Sequence, residues 1–241
     1  RGSVAWGDYD NDDFLDLIIT GQDGPNADTD RSVHLYRYDD GLGQFVDELI
    51  QATPLPPVNQ GSLAAWLDFN QDGKLDLLMA GRSGSGTYTN VLALFENINA
   101  QPVNSPAVPT GLSHEIDGYD VELSWADPGR DGLSYNLLLD NSNTFSVPLL
   151  DAPLADLGTG ARREVAFGQV HDSTALRLHN LPAGQYFWKV QAIAPNYQGS
   201  PFSVQTGSFA YKAPAFLDST ESFLGGFDGL ENGDLAWVDY D

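Results

Sequence analysis

Two stretches of this chain gather carboxylates at a spacing that suits a hard cation. The first reads Asp8-Tyr9-Asp10-Asn11-Asp12-Asp13-Phe14-Leu15-Asp16 and the second Asp68-Phe69-Asn70-Gln71-Asp72-Gly73-Lys74-Leu75-Asp76. In both, side-chain oxygens fall at positions 1, 3, 5 and 9 of the run. Like charges packed this closely repel: a pair about 4 Å apart costs about 4 kcal/mol at an effective dielectric of about 20. A turn that collects four acidic or amide oxygens therefore needs a cation to offset the repulsion. Oxygen ligands at alternating positions suit Ca²⁺, and the backbone carbonyl at position 7 (Phe14, Lys74) fills the shell. Gly73 at position 6 permits a sharp turn, and Asp13, which takes that place in the first run, tolerates a left-handed backbone better than most residues. An EF-hand is excluded, because it needs Glu at position 12 and flanking helices. Here that position is Ile19 or Met79, inside an apolar stretch.

The acidic runs belong to a longer internal repeat. AWGDYDNDDFLDLIITG (Ala5–Gly21) aligns with AWLDFNQDGKLDLLMAG (Ala65–Gly81) at an offset of 60 residues without a gap. A third copy begins as AWVDYD at Ala236 and supplies two more candidate ligands, Asp239 and Asp241. Short apolar runs lead into and out of each acidic turn (Val4–Trp6, Leu15–Thr20; Leu63–Leu67, Leu75–Ala80) and are followed by Val33–Tyr38 or Val91–Phe95. In the first unit, a turn at Asp39–Gly43 leads to Gln44–Leu49. Four short strands per unit is the make-up of a propeller blade.

The 171 residues between Trp66 and Trp237 exceed one period by 111, enough for one small inserted domain beginning near Asn99 and ending near Phe216. Within it, Asp120–Trp125, Leu133–Leu139, Ala175–His179, Tyr186–Ala194 and Ser203–Ala210 alternate as strands separated by Pro, Gly and Asn breakers. That is the pattern of an all-β sandwich. The expected organisation is repeat 1 at 1–60, repeat 2 at 61–103 and 213–232, a sandwich at 104–212 and the start of repeat 3 at 233–241. The stretch Leu157–Thr174 reads as a long loop.

Composition narrows the function. With 34 acidic and 11 basic residues the net charge is −23, which excludes a phosphate backbone as partner and argues against an anionic membrane surface. No apolar run is long enough to span a membrane. There are no cysteines, so thiolate chemistry and disulfides are out. The acidity is concentrated in the repeat regions, with net −18 over 132 residues against −5 for residues 104–212.

The two repeat units resemble the FG-GAP/VCBS family, whose members include the integrin α-subunit propeller. The family pattern, approximately AWGDYDxDGxxDLLxxG, covers both units, and the resemblance implies Ca²⁺ held by the loop residues above. Asp13 replaces the family glycine in the first unit. Asn70 replaces an aspartate in the second and lowers the ligand charge there. LPAGQY (Leu181–Tyr186) followed by WKVQA, with Trp125 upstream, resembles the tyrosine-corner strand and second-strand tryptophan of a fibronectin type III domain. The fold class expected is therefore all-β: four-stranded propeller-type blades plus an inserted fibronectin type III-like sandwich.

Other features read as structural. Trp6, Trp66 and Trp237 share one repeat position and are expected in blade cores. Tyr9, Phe69 and Tyr240 brace the acidic loops, and His34 and His179 sit on strand surfaces. Arg130-Asp131-Gly132 is a turn whose order differs from an RGD tripeptide. No GxSxG, HExxH or phosphate loop is present, although the many acids leave a glycosidase-type carboxylate pair open.

Three functions fit. The favoured one is a non-enzymatic, calcium-stabilised adhesion or interaction module, which shades into an architectural repeat of a surface fibre. The alternative is part of a polysaccharide-active secreted enzyme. The partner expected is a protein or glycan at a cell surface, or neighbouring copies of the same protein, with no nucleic acid and no membrane insertion. A ligand is expected on loops away from the metal hairpins: Gln22–Arg31, Thr53–Gly61 and Arg82–Asn90. Sites of this type bind Ca²⁺ at about 10⁻⁴–10⁻³ M, which points outside the cell, and the resemblance suggests a bacterial surface or secreted protein. Two units and a stub do not close a ring, so the chain reads as a segment of a longer polypeptide or as one whose sheets are completed by neighbours.

Overall fold

The computed structural model describes residues 2–25, 31–48, 55–84, 89–99, 101, 104–150, 155–162, 164–171 and 173–212. Among these, every regular element is a β-strand, and no helix is long and apolar enough to cross a membrane. The first unit is an antiparallel meander of β1 (Ser3–Gly7), β2 (Asp16–Gly21), β3 (Ser32–Asp39) and β4 (Gln44–Asp47), in that order. The second contains β5 (Asn59–Leu67), β6 (Asp76–Ser83) and β7 (Thr89–Phe95) in the same arrangement. The fourth strand expected near Phe216 lies outside the described residues, as do Trp237, Tyr240, Asp239 and Asp241. None of the sheets closes on itself.

Period-two alternation explains how the two sheets stack. Ala5, Ile18 and Leu35 lie directly across from one another and face the core, which Ala64, Trp66, Leu77 and Met79 fill from the second sheet. Trp66 is 8% exposed, as its repeat position suggests. Trp6, at the same position of the first unit, is 45% exposed. The expectation that both are core residues is corrected for Trp6. Trp66 packs toward the first sheet, whereas among the described residues no repeat sheet covers Trp6, which instead lines a cavity with residues of the region that follows β7.

Between β7 and the end of the described chain lies a two-sheet sandwich. One sheet has the order β12-β9-β8, from β8 (Thr110–Asp117), β9 (Asp120–Ala126) and β12 (Ala175–His179). The other has the order β11-β10-β13-β14, from β10 (Ser134–Asp140), β11 (Val170–His171), β13 (Gly184–Ile193) and β14 (Gly207–Tyr211). Their facing sides share one core, in which Val121, Leu123, Trp125, Leu137, Trp188 and Val190 are buried. Trp125 meets Tyr135 edge to face at 5.1 Å. The Tyr186 hydroxyl donates to the Pro182 carbonyl four residues upstream at 2.6 Å, which ties the loop to the start of the strand. β8 and β11 were not anticipated. β8 follows a proline-rich stretch and is mostly solvent-exposed, so its sequence carries little apolar alternation. β11 has only two residues and lies within the stretch read as a long loop.

The sandwich docks on the first repeat through two turns. Tyr197 enters the repeat core, and its hydroxyl donates to the Trp6 carbonyl at 2.6 Å. The Asn196 side-chain amide donates to Asn11 Oδ1 at 2.8 Å, and the Asp8 amide faces the Pro195 carbonyl at 3.4 Å. Arg130 pairs with Asp13, and its other arm donates to the Asn104 carbonyl. Gly132 has φ +68, and a Cβ there would sit 3.0 Å from Pro195 and 3.6 Å from the Asp13 carbonyl oxygen. The Arg130–Gly132 turn is thus a docking element whose glycine is required by its backbone.

Candidate metal centre

Each acidic loop bridges the first two strands of its unit, and both are wired alike. In the first, Asp8 accepts from the amides of Asp12 and Asp13 at 3.0 and 3.1 Å. Asp16 accepts from Tyr9 at 3.1 Å and, across the sheet, from Tyr38 at 2.9 Å. In the second, Asp68 accepts from Asp72 and Gly73 at 3.1 and 2.9 Å, and Asp76 from Phe69 and Asn97 at 3.1 and 2.8 Å. The carboxylates at positions 1 and 9 therefore serve as caps for a loop whose own amides have no ladder partner. Position 6 is left-handed in both, at Asp13 (φ 77) and Gly73 (φ 86), as anticipated. Position 4 is left-handed too, at Asn11 (φ 61) and Gln71 (φ 59). The asparagine was a readable signal for that conformation; the glutamine was not.

The first loop brings Asp8, Asp10 and Asp16 together, with one oxygen of each within 4.8 Å of the others. Asp8 and Asp16 are fully buried. Burial, with repulsion from Asp10 and Asp12, pushes the Asp8 carboxyl up to about 7 and the Asp16 carboxyl up to about 8. Burial and the neighbouring Asp12 push Asp10 up to about 6. Asp10 Oδ1 is buried with no hydrogen-bond partner. An acceptor withdrawn from water and left unmatched is costly unless a cation fills the space it faces. The donor set fits a hard divalent ion on that observation.

The remaining candidates are arranged more loosely. Asp12 is exposed and accepts from the Phe14 amide at 2.9 Å, so it caps the loop rather than joining the cluster. In the second loop Asp76 is fully buried, Asp68 is half-buried with its carboxyl raised by burial, and Asn70 and Asp72 are exposed. Asp72 accepts from Lys74 at 2.9 Å, and Asn70 turns its amide toward Glu96 at 3.4 Å. The structure does not gather Asp68, Asn70, Asp72 and Asp76 as tightly as the first set. Sequence reasoning missed Asn97, whose amide caps Asp76 and whose side chain donates to the Tyr9 carbonyl at 2.7 Å, joining the two loops. It lies outside either acidic run, so only its neighbourhood in space identifies it.

Comparison with known proteins finds a repeat family over the segment that holds both acidic loops. Residues 8–79 match the family model described as an FG-GAP-like repeat, a segment that runs from the first acidic loop through the second. The chain is thus all-β among its described residues, and its segment 8–79 is similar to an FG-GAP-like repeat. No curated protein matches it. Among solved structures, a chain titled "Cytokine receptor complex - Crystal form 1A" is similar at 18% identity and a TM-score of 0.32, covering 88% of this chain and 98% of that one. At that score the likeness carries no argument.

Proposed function

We propose that this protein is a non-enzymatic, calcium-binding interaction or architectural module that works outside the cell, in which Ca²⁺ rigidifies the hairpin loops of propeller-type blades. The observation that carries the reading is the cluster of buried Asp8 and Asp16 with half-buried Asp10, whose Oδ1 is unmatched, lying within the FG-GAP-like match. Asp8, Asp10 and Asp16 would hold the first ion, with the Phe14 carbonyl completing the shell and Asp12 at its edge, capping the loop. Asp68, Asn70, Asp72, the Lys74 carbonyl and Asp76 hold a second. The bound ion supplies charge neutralisation: it lets carboxylates that otherwise repel stay ionised and capped onto the loop amides. A fibronectin type III-like reading of the sandwich is supported by its strand order, the buried Trp125 and the Tyr186–Pro182 bond. Such a domain inserted between repeat strands suits a surface protein that presents spaced modules. The test is thermal unfolding in Ca²⁺ and in EDTA. At about ten times Kd each site adds about 1.4 kcal/mol, so a clear upward shift in Tm is expected. Identical melting in both conditions overturns the reading.

A further inference from the structure

The exposure of Trp6 sets the first repeat apart from the second, and the cleft beside it has not been assigned a role. Phe14, Tyr38, Phe45 and Trp6 form a continuous row of rings, with successive centroids 5.4, 5.3 and 6.0 Å apart. Phe45 and Trp6 are 44% and 45% exposed. The row forms one wall of a cavity of about 570 Å³, and the sandwich supplies the other through Asp131, Gly132 and Phe167. No lysine or arginine lines this cavity among the described residues. Its ionisable side chains are Asp13, already paired with Arg130, the exposed Asp131, and the exposed His171, whose ring meets Phe167 at 5.4 Å. The acidic loop lies alongside. Its four carboxylates at Asp8, Asp10, Asp12 and Asp16 retain a net negative charge even with one divalent ion bound.

We propose that this cleft binds an organic ammonium group, whether quaternary or the side chain of a lysine. Aromatic faces attract a cation through their quadrupole, most strongly for tryptophan, and the surrounding carboxylates add charge complementarity that a neutral ligand does not exploit. The ring row accommodates the alkyl groups of the ligand, and Asp131 at the rim faces its charge. The Arg130–Gly132 turn has a second role in this arrangement: Arg130 fixes the sandwich wall on Asp13, and Asp131 is thereby presented to the cleft. The site lies at the metal-loop end of the repeat, opposite to where the sequence pattern placed a ligand. The inference deepens the interaction-module reading by naming the chemistry of the partner.

The test uses the full chain in Ca²⁺ and titrates choline, its neutral isostere 3,3-dimethylbutan-1-ol, a lysine-containing peptide and neutral oligosaccharides, followed by calorimetry. Choline, the lysine peptide or both bind, the neutral isostere does not, and added salt weakens binding. Trp6→Ala weakens the cation by about tenfold, and Phe45→Ala, at an equally exposed position, weakens it less. Circular dichroism on both variants confirms folding. Choline binding without the peptide assigns the site to a free quaternary ammonium, and the reverse assigns it to a protein partner. Equal binding of the isostere, preference for a neutral oligosaccharide, absence of any cation binding, or an unchanged affinity in folded Trp6→Ala each overturns the proposal. Melting in Ca²⁺ and EDTA, read on the same samples, keeps failure of the calcium reading separate from failure of this one.

Discussion

The two acidic loops share a sequence pattern and a hydrogen-bond scheme, yet they sit in different surroundings. The first is pressed beneath the sandwich, contacted by Pro195, Asn196 and Arg130, and its three central carboxylates converge. The second borders a cavity of about 720 Å³ between Gln71, Gly73 and the Asp156–Arg162 segment, and its positions 3 and 5 remain in water. Identical wiring therefore does not make identical sites. Burial raises the energy of closely spaced charges, so on the proposed reading the first loop is expected to depend more on a cation than the second.

The largest expected effect comes from the buried caps. Asp16→Ala removes the acceptor for the Tyr9 and Tyr38 amides and is expected to cost about 3 kcal/mol in urea unfolding. Asp76→Ala, which deprives Phe69 and Asn97, is expected to match it. If one is silent, the wiring is not the shared support described here. Next comes metal dependence. Calcium titration is expected to show a tighter site lost in Asp10→Asn and a weaker site strengthened in Asn70→Asp. Loss of the weaker site in Asp10→Asn reverses the comparison.

The third effect is on pH. Asp8, Asp10 and Asp16 have folded-state values of about 7, 6 and 8, above the ordinary carboxylate value of 3.8. The folded protein without metal thus holds more protons than the unfolded chain across that window, and stability falls as pH rises from about 4 to about 8. Calcium competes with those protons, so its stabilising effect is expected to be larger at pH 8 than at pH 5. A Ca²⁺-induced Tm shift that is flat between the two excludes the cluster as the site. The smallest effect is expected from Arg130→Ala. Loss of a partly exposed ion pair costs about 1 kcal/mol or less. It is expected to alter calcium affinity at the first loop while leaving the second unchanged.

Much of the fold was legible because strand alternation is a local property. Val33–Tyr38 and Asp120–Trp125 each lie within a strand of the structure, and the acidic turns fall between β1 and β2 and between β5 and β6. Strands with weak alternation were not legible: β8 is mostly exposed and β11 has two residues. The candidate site divides the same way. The spacing of Asp8, Asp10 and Asp16 pointed to a shared cation, whereas the peripheral place of Asp12 depends on which way the loop turns.

The sequence alone determined the repeat, the placement of side-chain oxygens within it, the absence of cysteine and the strongly negative charge, because composition and spacing are properties of the chain itself. Only the tertiary structure decided that Trp66 is buried while Trp6 lines a cleft, that Asn97 joins the two loops, and that the sandwich rests on the first loop rather than the second. Two residues at one repeat position are identical as sequence. They differ because burial depends on what packs against a face, and that neighbour comes from a distant part of the chain.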